Sequence, residues 1–274
     1  MTEPDRVELF LTLDSCDTGM DEHRYQESDE LTGSALDLFG EGPEPALRLE
    51  FAEDSQVIWQ RRGEQPQKAR YTSAELRPDL YFIDWLLPDD SRSSASIILD
   101  RKEGNATALW HSLPEPARAK PNLYERIVET GDLSAARVHQ EHLGVGGPRS
   151  RPEPPFTRDL IGKRLLCDYG TDVYEHIYLN EWLYCWHCIS GVGGGAAEVD
   201  ECSYHLMAEN LYLLIWREKL APAVGIVLLD LDRMRSTGKL HYQKLTRHES
   251  FVNCVVGARL ELLNETRYPA PRST

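Results

Sequence analysis

The sequence predicts an all-β protein made of two tandem antiparallel β-barrels with one or two short helices. Three observations favour this fold class. The chain repeats its own motifs at a nearly constant separation, and its apolar residues alternate with polar ones over short stretches typical of half-buried strands. In addition, no helical pattern is long enough for the crossovers that parallel strands need.

The repeat is carried by tryptophans and by aliphatic strand motifs. Trp59 recurs as Trp186, and Trp85 recurs as Trp216. The run Ile-Ile-Leu-Asp at 97–100 recurs as Val-Leu-Leu-Asp at 227–230, and the separations range from 127 to 131 residues. We interpret this as duplication of one domain-sized unit. Residues that both copies keep, such as the tryptophans, are then expected to serve the fold, whereas polar residues in one copy are candidates for function.

The elements follow in chain order. Residues 1–30 form an acidic, extended lead-in with one apolar run at 7–13, which is a candidate strand or edge segment. Strands are expected at 47–51, 80–85 and 96–99, and helical spacing of apolar residues predicts a short helix between Pro121 and Gly131. Residues 146–155 are rich in Gly and Pro, which is typical of a linker. The predicted domains are therefore an N-terminal barrel at 1–145 and a C-terminal barrel at 156–274.

Closure into a barrel removes the open edges of a sheet and encloses a pocket. A two-sheet sandwich would show the same periodicity, so the pattern alone leaves both architectures open.

Composition restricts the class of partner. The chain of 274 residues has 30 Lys and Arg against 45 Asp and Glu, a formal charge of −15. Such a charge repels phosphates, so we expect neither nucleic acid nor an anionic membrane surface as a partner. The acidic start has no secretory pattern, no apolar run is long enough to span a bilayer, and six cysteines do not suggest a disulfide framework. These features predict a cytoplasmic protein.

One carboxylate distinguishes the second copy. Strand alternation places Tyr212, Trp216 and Glu218 on one face, and the first copy has Leu87 where the second has Glu218. If that face lines a cavity, desolvation raises the pKa of the carboxyl and suits it to proton transfer. The alternative is a strand-end carboxylate in water.

A second polar row in this copy comprises Tyr174, His176 and Tyr178, where the first copy has apolar residues at 47, 49 and 51. Such groups could orient a polar aromatic ligand, and the alternative is a solvent-facing strand.

Metal and nucleotide sites are not expected. Cys185 and Cys188 are three residues apart in a predicted strand and so point to opposite faces, which argues against zinc. The glycine-rich run at 191–195 lacks both the phosphate-loop Lys and the Rossmann spacing, and is predicted to be a hairpin connection. We therefore expect no cofactor.

The motifs of the second copy, among them residues 160–164, 174–180, 186–191 and 216–219, resemble the C-terminal domain of the MoaF family. Those of the first copy at 81–84 and 96–100 resemble its N-terminal domain. The resemblance implies a pair of calycin, or lipocalin-like, barrels. The family name refers to molybdenum cofactor synthesis, and the resemblance implies no defined activity.

The second copy also resembles phenolic acid decarboxylases, which are single calycin barrels that act without a cofactor. The resemblance places their catalytic Glu on Glu218 and their two carboxylate-binding tyrosines on Cys167 and Tyr169, so one tyrosine is kept. Their catalytic Arg falls near Ala196 and is absent, which argues against decarboxylation of phenolic acids itself.

These observations predict a barrel that binds a small hydrophobic or aromatic molecule and performs cofactor-free acid–base chemistry, as a lyase, isomerase or cyclase. The alternative is a non-catalytic carrier, sensor or accessory protein linked to molybdenum cofactor or enzyme maturation. The predicted catalytic residue is Glu218. The predicted ligand-binding residues are Tyr169, Tyr174, His176, Tyr178, Trp186, His187, Tyr212 and Trp216.

Overall fold

The computed structural model describes residues 19–115, 123–149, 152–220, 222–244, 246–247 and 249–269. The apolar run predicted as a strand at 7–13 and part of the linker lie outside the described residues. Contacts divide the described chain into two compact units. One comprises 25–115, 135–149 and 152–153, and the other comprises 19–24, 123–134 and 154–269.

The first unit contains a closed antiparallel barrel of eight strands. Alternating burial along the strands, as in Pro45–Ala52, places one row of side chains in the interior and the other on the outside. Pairing of Leu38 with Val145 and of Phe39 with Gly144 joins the first strand to the last and closes the barrel. The strands are β1 (Ala35–Phe39), β2 (Pro45–Ala52), β3 (Gln56–Arg61), β4 (Gln67–Arg77), β5 (Leu80–Leu87), β6 (Asp90–Asp100), β7 (Asn105–Ser112) and β8 (Arg137–Val145).

The second unit repeats this order in nine segments. Strand β15 pairs with β14, β16 and β17, and β17 pairs with β9, so this barrel is also closed. Its last strand is broken at Gly257, where a Cβ would lie 2.2 Å from the Cα of Arg24. The segments are β9 (Lys163–Asp168), β10 (Val173–Tyr178), β11 (Leu183–Ser190), β12 (Ala197–Ala208), β13 (Leu211–Glu218), β14 (Ala223–Asp230), β15 (Arg235–Gln243), β16 (Phe251–Val256) and β17 (Arg259–Glu265).

The two barrels use the same strand register. Trp59 pairs with Leu49 on β2, and Trp186 pairs with His176 on β10. Trp85 pairs with Ala95, and Trp216 pairs with Gly225. The predicted fold of two tandem antiparallel barrels is confirmed, and the sandwich alternative is wrong because both sheets close on themselves.

One helix is present among the described residues, α1 (Leu123–Thr130). It precedes the second barrel in the chain and packs with it. Its buried Arg126 donates from Nη1 to the carbonyl oxygens of Leu133, at 2.7 Å, and Lys219, at 3.1 Å. Within the described part of the chain, no helix has the length and apolarity needed to cross a membrane.

Candidate functional site

Strands β12 and β13 bring three carboxyl groups to one end of the second barrel. Glu198 and Asp200 belong to the inward row of β12, which continues through the core residue Cys202. Glu218 ends the inward row of β13, two residues after the core residue Trp216. Glu198 and Asp200 are buried and Glu218 is half-buried. We refer to Glu198, Asp200 and Glu218 as the acidic end.

Two tryptophans hold two of these carboxyls. Trp186 Nε1 donates to Asp200 Oδ2 at 2.9 Å, and Trp216 Nε1 donates to Glu218 Oε1 at 3.3 Å. Each indole therefore contributes more than apolar surface, because its N–H fixes the position of one carboxyl. The sequence predicted that the tryptophans serve the fold and that Trp186 and Trp216 also bind a ligand, but it did not predict these hydrogen bonds to carboxyls.

Lys219 is the cation next to the acidic end. Its Nζ lies 3.5 Å from Glu198 Oε1 and 4.0 Å from Asp200 Oδ1, and it also donates to the carbonyl oxygen of Val199. Its backbone N–H donates to Asp200 Oδ1 at 3.2 Å. One ammonium therefore pairs with two of the three carboxyls of the acidic end.

Burial raises the pKa of all three carboxyls. For Glu198 the pKa rises from 4.5 to about 7, because desolvation and the neighbouring Asp200 outweigh Lys219. Desolvation also raises the pKa of Asp200, against the hydrogen bond from Trp186 and the charge of Lys219. The pKa of Glu218 is held well above its ordinary value by desolvation first and then by the charges of Asp200 and Glu198. Neighbouring like charges in a poorly solvated site disfavour ionisation of all three carboxyls, so the acidic end retains a proton near neutral pH.

The backbone at the end of β13 is anchored by one residue of α1 and one residue that follows it. Ser134 Oγ donates to the carbonyl oxygen of Glu218 at 2.8 Å, and Arg126 binds the next carbonyl, that of Lys219. These bonds fix the chain on either side of the Glu218 side chain.

Aromatic rings line the same end of the barrel. Tyr169 contacts Tyr174 with ring centroids 5.9 Å apart, and Tyr174 contacts Trp186 at 6.0 Å. All three are buried. This part of the predicted ligand-binding set is therefore brought together beside the acidic end.

His176 lies deeper in the barrel. Its ring is 5.4 Å from that of Tyr184 and 6.4 Å from that of Trp216. Burial lowers its pKa from 6.5 to about 4, so the imidazole is neutral at physiological pH. Its Nδ1 has no hydrogen-bond partner among the described residues.

Tyr178 and Tyr212 lie towards the opposite end. Tyr178 stacks on Tyr184 at 6.4 Å, and its buried hydroxyl has no partner within the described chain. Tyr212 begins β13, six residues before Glu218. At about 3.3 Å per residue the two are about 20 Å apart, so Tyr212 does not share a site with Glu218.

His187 is not brought to this interior. It follows Trp186 on β11 and so points outwards, where its Nδ1 lies 3.5 Å from Glu175 Oε2. Glu175 also accepts from Arg164 Nε at 2.7 Å. These side chains form an ion-pair network on the outer face.

The cysteines considered for zinc point in different directions, as strand alternation predicts. Cys188 is in the core, whereas Cys185 is outside the core cluster. Among the described residues no group of three or more His, Cys, Asp or Glu could hold a metal ion.

The glycine-rich connection joins β11 to β12 at the same end of the barrel. Val192 N donates to the buried Asp172 Oδ1 at 2.6 Å. Gly191 has a φ of 105°, and a Cβ there would lie 2.3 Å from the same oxygen. This residue must therefore be glycine.

The first barrel has none of the carboxyls. The shared register places Gln67 opposite Trp59, as Glu198 is opposite Trp186. By the same pairing Ala69 corresponds to Asp200, and Leu87 corresponds to Glu218.

Sequence reasoning identified Glu218 and missed Glu198 and Asp200. The available signal was the row of alternate residues 198, 200, 202 and 204, which ends in the core residues Cys202 and Tyr204.

Comparisons with known proteins agree with the motifs. Residues 8–115 match the profile of the MoaF N-terminal domain, and residues 154–266 match that of the MoaF C-terminal domain. Protein MoaF of Klebsiella aerogenes is 35% identical over 237 residues, which cover 86% of this chain and 87% of that protein. A crystal structure of a protein from Burkholderia vietnamiensis, described as a candidate beta-lactamase, covers 41% of this chain and 98% of that chain at 17% identity. Its TM-score is 0.31, which is too low to support any conclusion about fold or function. Because both domains match and the relative is similar over most of its length, the chain belongs to the MoaF family.

Proposed function

We propose that the C-terminal barrel binds a small hydrophobic or aromatic molecule and that Glu218 exchanges a proton with it, in a cofactor-free lyase, isomerase or cyclase reaction. The observation that carries this proposal is the placement of three carboxyls with raised pKa values against an aromatic wall. A general acid or base is most effective when its pKa lies near the working pH. Burial raises the pKa values of these carboxyls from their ordinary acidic range towards neutral pH.

Each neighbouring group has a role in this proposal. Trp216 orients Glu218, and Trp186 orients Asp200. Lys219 stabilises the negative charge that remains when Glu218 gives up its proton. Tyr169 and Tyr174 provide the apolar and polar contacts for an aromatic ring.

The charge of the acidic end indicates which ligands fit. A carboxylate ligand would meet like charge there, and the catalytic Arg of the phenolic acid decarboxylases, which falls near Ala196, is absent. A neutral molecule with a hydroxyl or carbonyl group suits the site better, because a protonated carboxyl can donate to it and an ionised one can accept from it.

The alternative is a non-catalytic carrier, sensor or accessory protein linked to molybdenum cofactor or enzyme maturation. The neutral His176 and the unpartnered hydroxyl of Tyr178, within the described residues, could bind a ligand without any proton transfer. Membership of the MoaF family is compatible with this role.

We also propose a cytoplasmic location without nucleic-acid or membrane partners. The formal charge of −15 disfavours anionic surfaces, and the cysteines that the structure describes are free thiols, as is usual in reducing compartments.

The ligand proposal can be tested by nuclear magnetic resonance on protein labelled with ¹⁵N at tryptophan. The neutral phenol p-cresol should shift the indole signals of Trp186 and Trp216, and Glu218→Gln should alter that binding by less than about tenfold. Glu261→Gln, an exposed carboxylate on β17, is the matched control. Absence of any shift in these two signals at millimolar p-cresol would contradict ligand binding at the acidic end.

A further inference from the structure

The interior of the first barrel contains a cluster of three tryptophans. The ring centroids of Trp59 and Trp85 lie 6.2 Å apart, and Trp110 lies 5.5 Å from Trp59 and 6.2 Å from Trp85. Trp59 and Trp85 are 2% and 1% exposed. Trp110 packs against the same core. The second barrel has Leu240 at the position of Trp110. Trp110 pairs with Ala95, the strand partner of Trp85, and Leu240 pairs with Gly225, the strand partner of Trp216.

All three indole N–H groups lack an acceptor in the part of the chain that the structure describes. The Nε1 atoms of Trp59, Trp85 and Trp110 are buried and have no hydrogen-bond partner among the described residues. In the second barrel the equivalent indoles of Trp186 and Trp216 donate to carboxylates. The two barrels differ in this respect because they have different residues at the acceptor positions.

The carboxylates are replaced by apolar side chains in the first barrel. Ala69 stands where the second barrel has Asp200, and Leu87 stands where it has Glu218. The tryptophans are present in both barrels, whereas the carboxyl acceptors at these positions are present in the second barrel and not in the first. Buried donors are nearly always paired in native proteins, because a buried donor without an acceptor is destabilising. An acceptor from outside the chain would satisfy these donors.

The nearby charges are already paired. The guanidinium of Arg61 lies 4.8 Å from the ring centroid of Trp110, and it forms ion pairs with Glu141 at 3.1 Å and Glu64 at 3.8 Å. Among the described residues the three indole N–H groups are therefore buried donors without a partner, and the surrounding core is apolar and aromatic.

We propose that the N-terminal barrel is a second binding site, for a small and mostly apolar molecule whose carbonyl or carboxylate oxygen accepts hydrogen bonds from Trp59 and Trp85. Trp110 closes the cluster and supplies a third donor. This site differs in chemistry from the acidic end of the second barrel, since it offers donors where the other offers carboxyls. It does not depend on proton transfer by Glu218.

The direct test observes the indole N–H groups of the unmodified protein. The chain has six tryptophans, so ¹⁵N-tryptophan labelling gives a spectrum that single Trp→Phe variants assign. Acetophenone provides a neutral acceptor, benzoate provides a charged one, and ethylbenzene has a similar size without an acceptor. The signals of Trp59 and Trp85 should move downfield with acetophenone or benzoate and not with ethylbenzene.

Variants test the same contacts by affinity. Trp59→Phe and Trp85→Phe keep an aromatic ring and remove the donor, so each should weaken binding of the preferred probe by about tenfold. Trp182→Phe is the matched control, because that side chain is 70% exposed in the second unit. Ala69→Asp supplies an internal acceptor, as Asp200 does for Trp186, and should abolish binding of the probe.

Three results would overturn the proposal. One is that the Trp59 and Trp85 signals do not move with either acceptor probe at millimolar concentration. This result is expected if a water molecule already accepts the hydrogen bonds of the indole N–H groups. Another is equal movement with ethylbenzene, which would show that the donors are not used. The last is that the probe moves the signals of Trp186 and Trp216 alone, which would place binding at the acidic end and leave the proposed function standing.

Discussion

Trp216 donates its indole N–H to Glu218, two residues later on the same inward row of β13, at 3.3 Å. This contact opposes the rise in the pKa of Glu218, and burial together with the charges of Asp200 and Glu198 outweighs it. The result is a carboxyl that is fixed in position and retains its proton more readily than a carboxyl in water. That combination is what an acid–base residue requires.

Removal of the Glu218 carboxyl should separate binding from chemistry. Glu218→Gln keeps the shape of the side chain and can still accept from Trp216, but it cannot transfer a proton. With a substrate that the parent protein converts, turnover by Glu218→Gln should fall by about 10²–10⁴-fold while its affinity for that substrate changes little. Steady-state kinetics and binding measured side by side provide the check, with Glu261→Gln as control. Turnover within about twofold of the parent would favour the carrier function.

The raised pKa of Glu198 predicts a stability that depends on pH. Between 4.5 and about 7 the folded protein keeps a proton that the unfolded chain releases, so Glu198 makes the parent less stable as pH rises through this range. Glu198→Gln lacks this effect. The stability of Glu198→Gln relative to the parent should therefore be lowest at pH 4 and should increase by about 1–3 kcal/mol by pH 8.

Denaturant unfolding at several pH values measures this difference, with Glu261→Gln as the variant of an exposed carboxylate for comparison. A Glu198→Gln variant whose stability relative to the parent is constant from pH 4 to pH 8 would contradict the raised pKa.

The position of Trp216 depends on Gly225 of the neighbouring strand. A Cβ at Gly225 would lie 2.1 Å from Cη2 and Cζ2 of the indole, whereas the first barrel has Ala95 at this position. Gly225→Ala should therefore displace the ring, weaken its bond to Glu218 and destabilise the protein by about 1–3 kcal/mol. Thermal unfolding and the Trp216 indole signal report the two effects. Ala95→Gly is the matched change in the other barrel, and it should leave the Trp216 signal in place.

Much of the fold could be predicted because the sequence repeats itself. The near-constant separation of the tryptophans implied one register for both copies, since a slip of one residue would turn each side chain to the other face. The break at Gly257 could not be predicted, because it follows from the close approach of Arg24, a residue far away in the chain.

The site was predicted in part for a related reason. Glu218 was found because Leu87 replaces it in the other copy. Glu198 and Asp200 are charged residues in an alternating strand, a pattern that ordinarily indicates a solvent-facing row. Their inward direction becomes visible through the hydrogen bond from Trp186, which needs three-dimensional contacts.

The measurement that most directly tests the proposed chemistry is a ¹³C titration of the Glu218 carboxyl, assigned by comparison with Glu218→Gln. The signal should titrate at a pH well above 4.5, together with changes at Asp200 and Glu198. A Glu218 carboxyl that titrates near 4.5 would contradict a proton-transfer role for the acidic end.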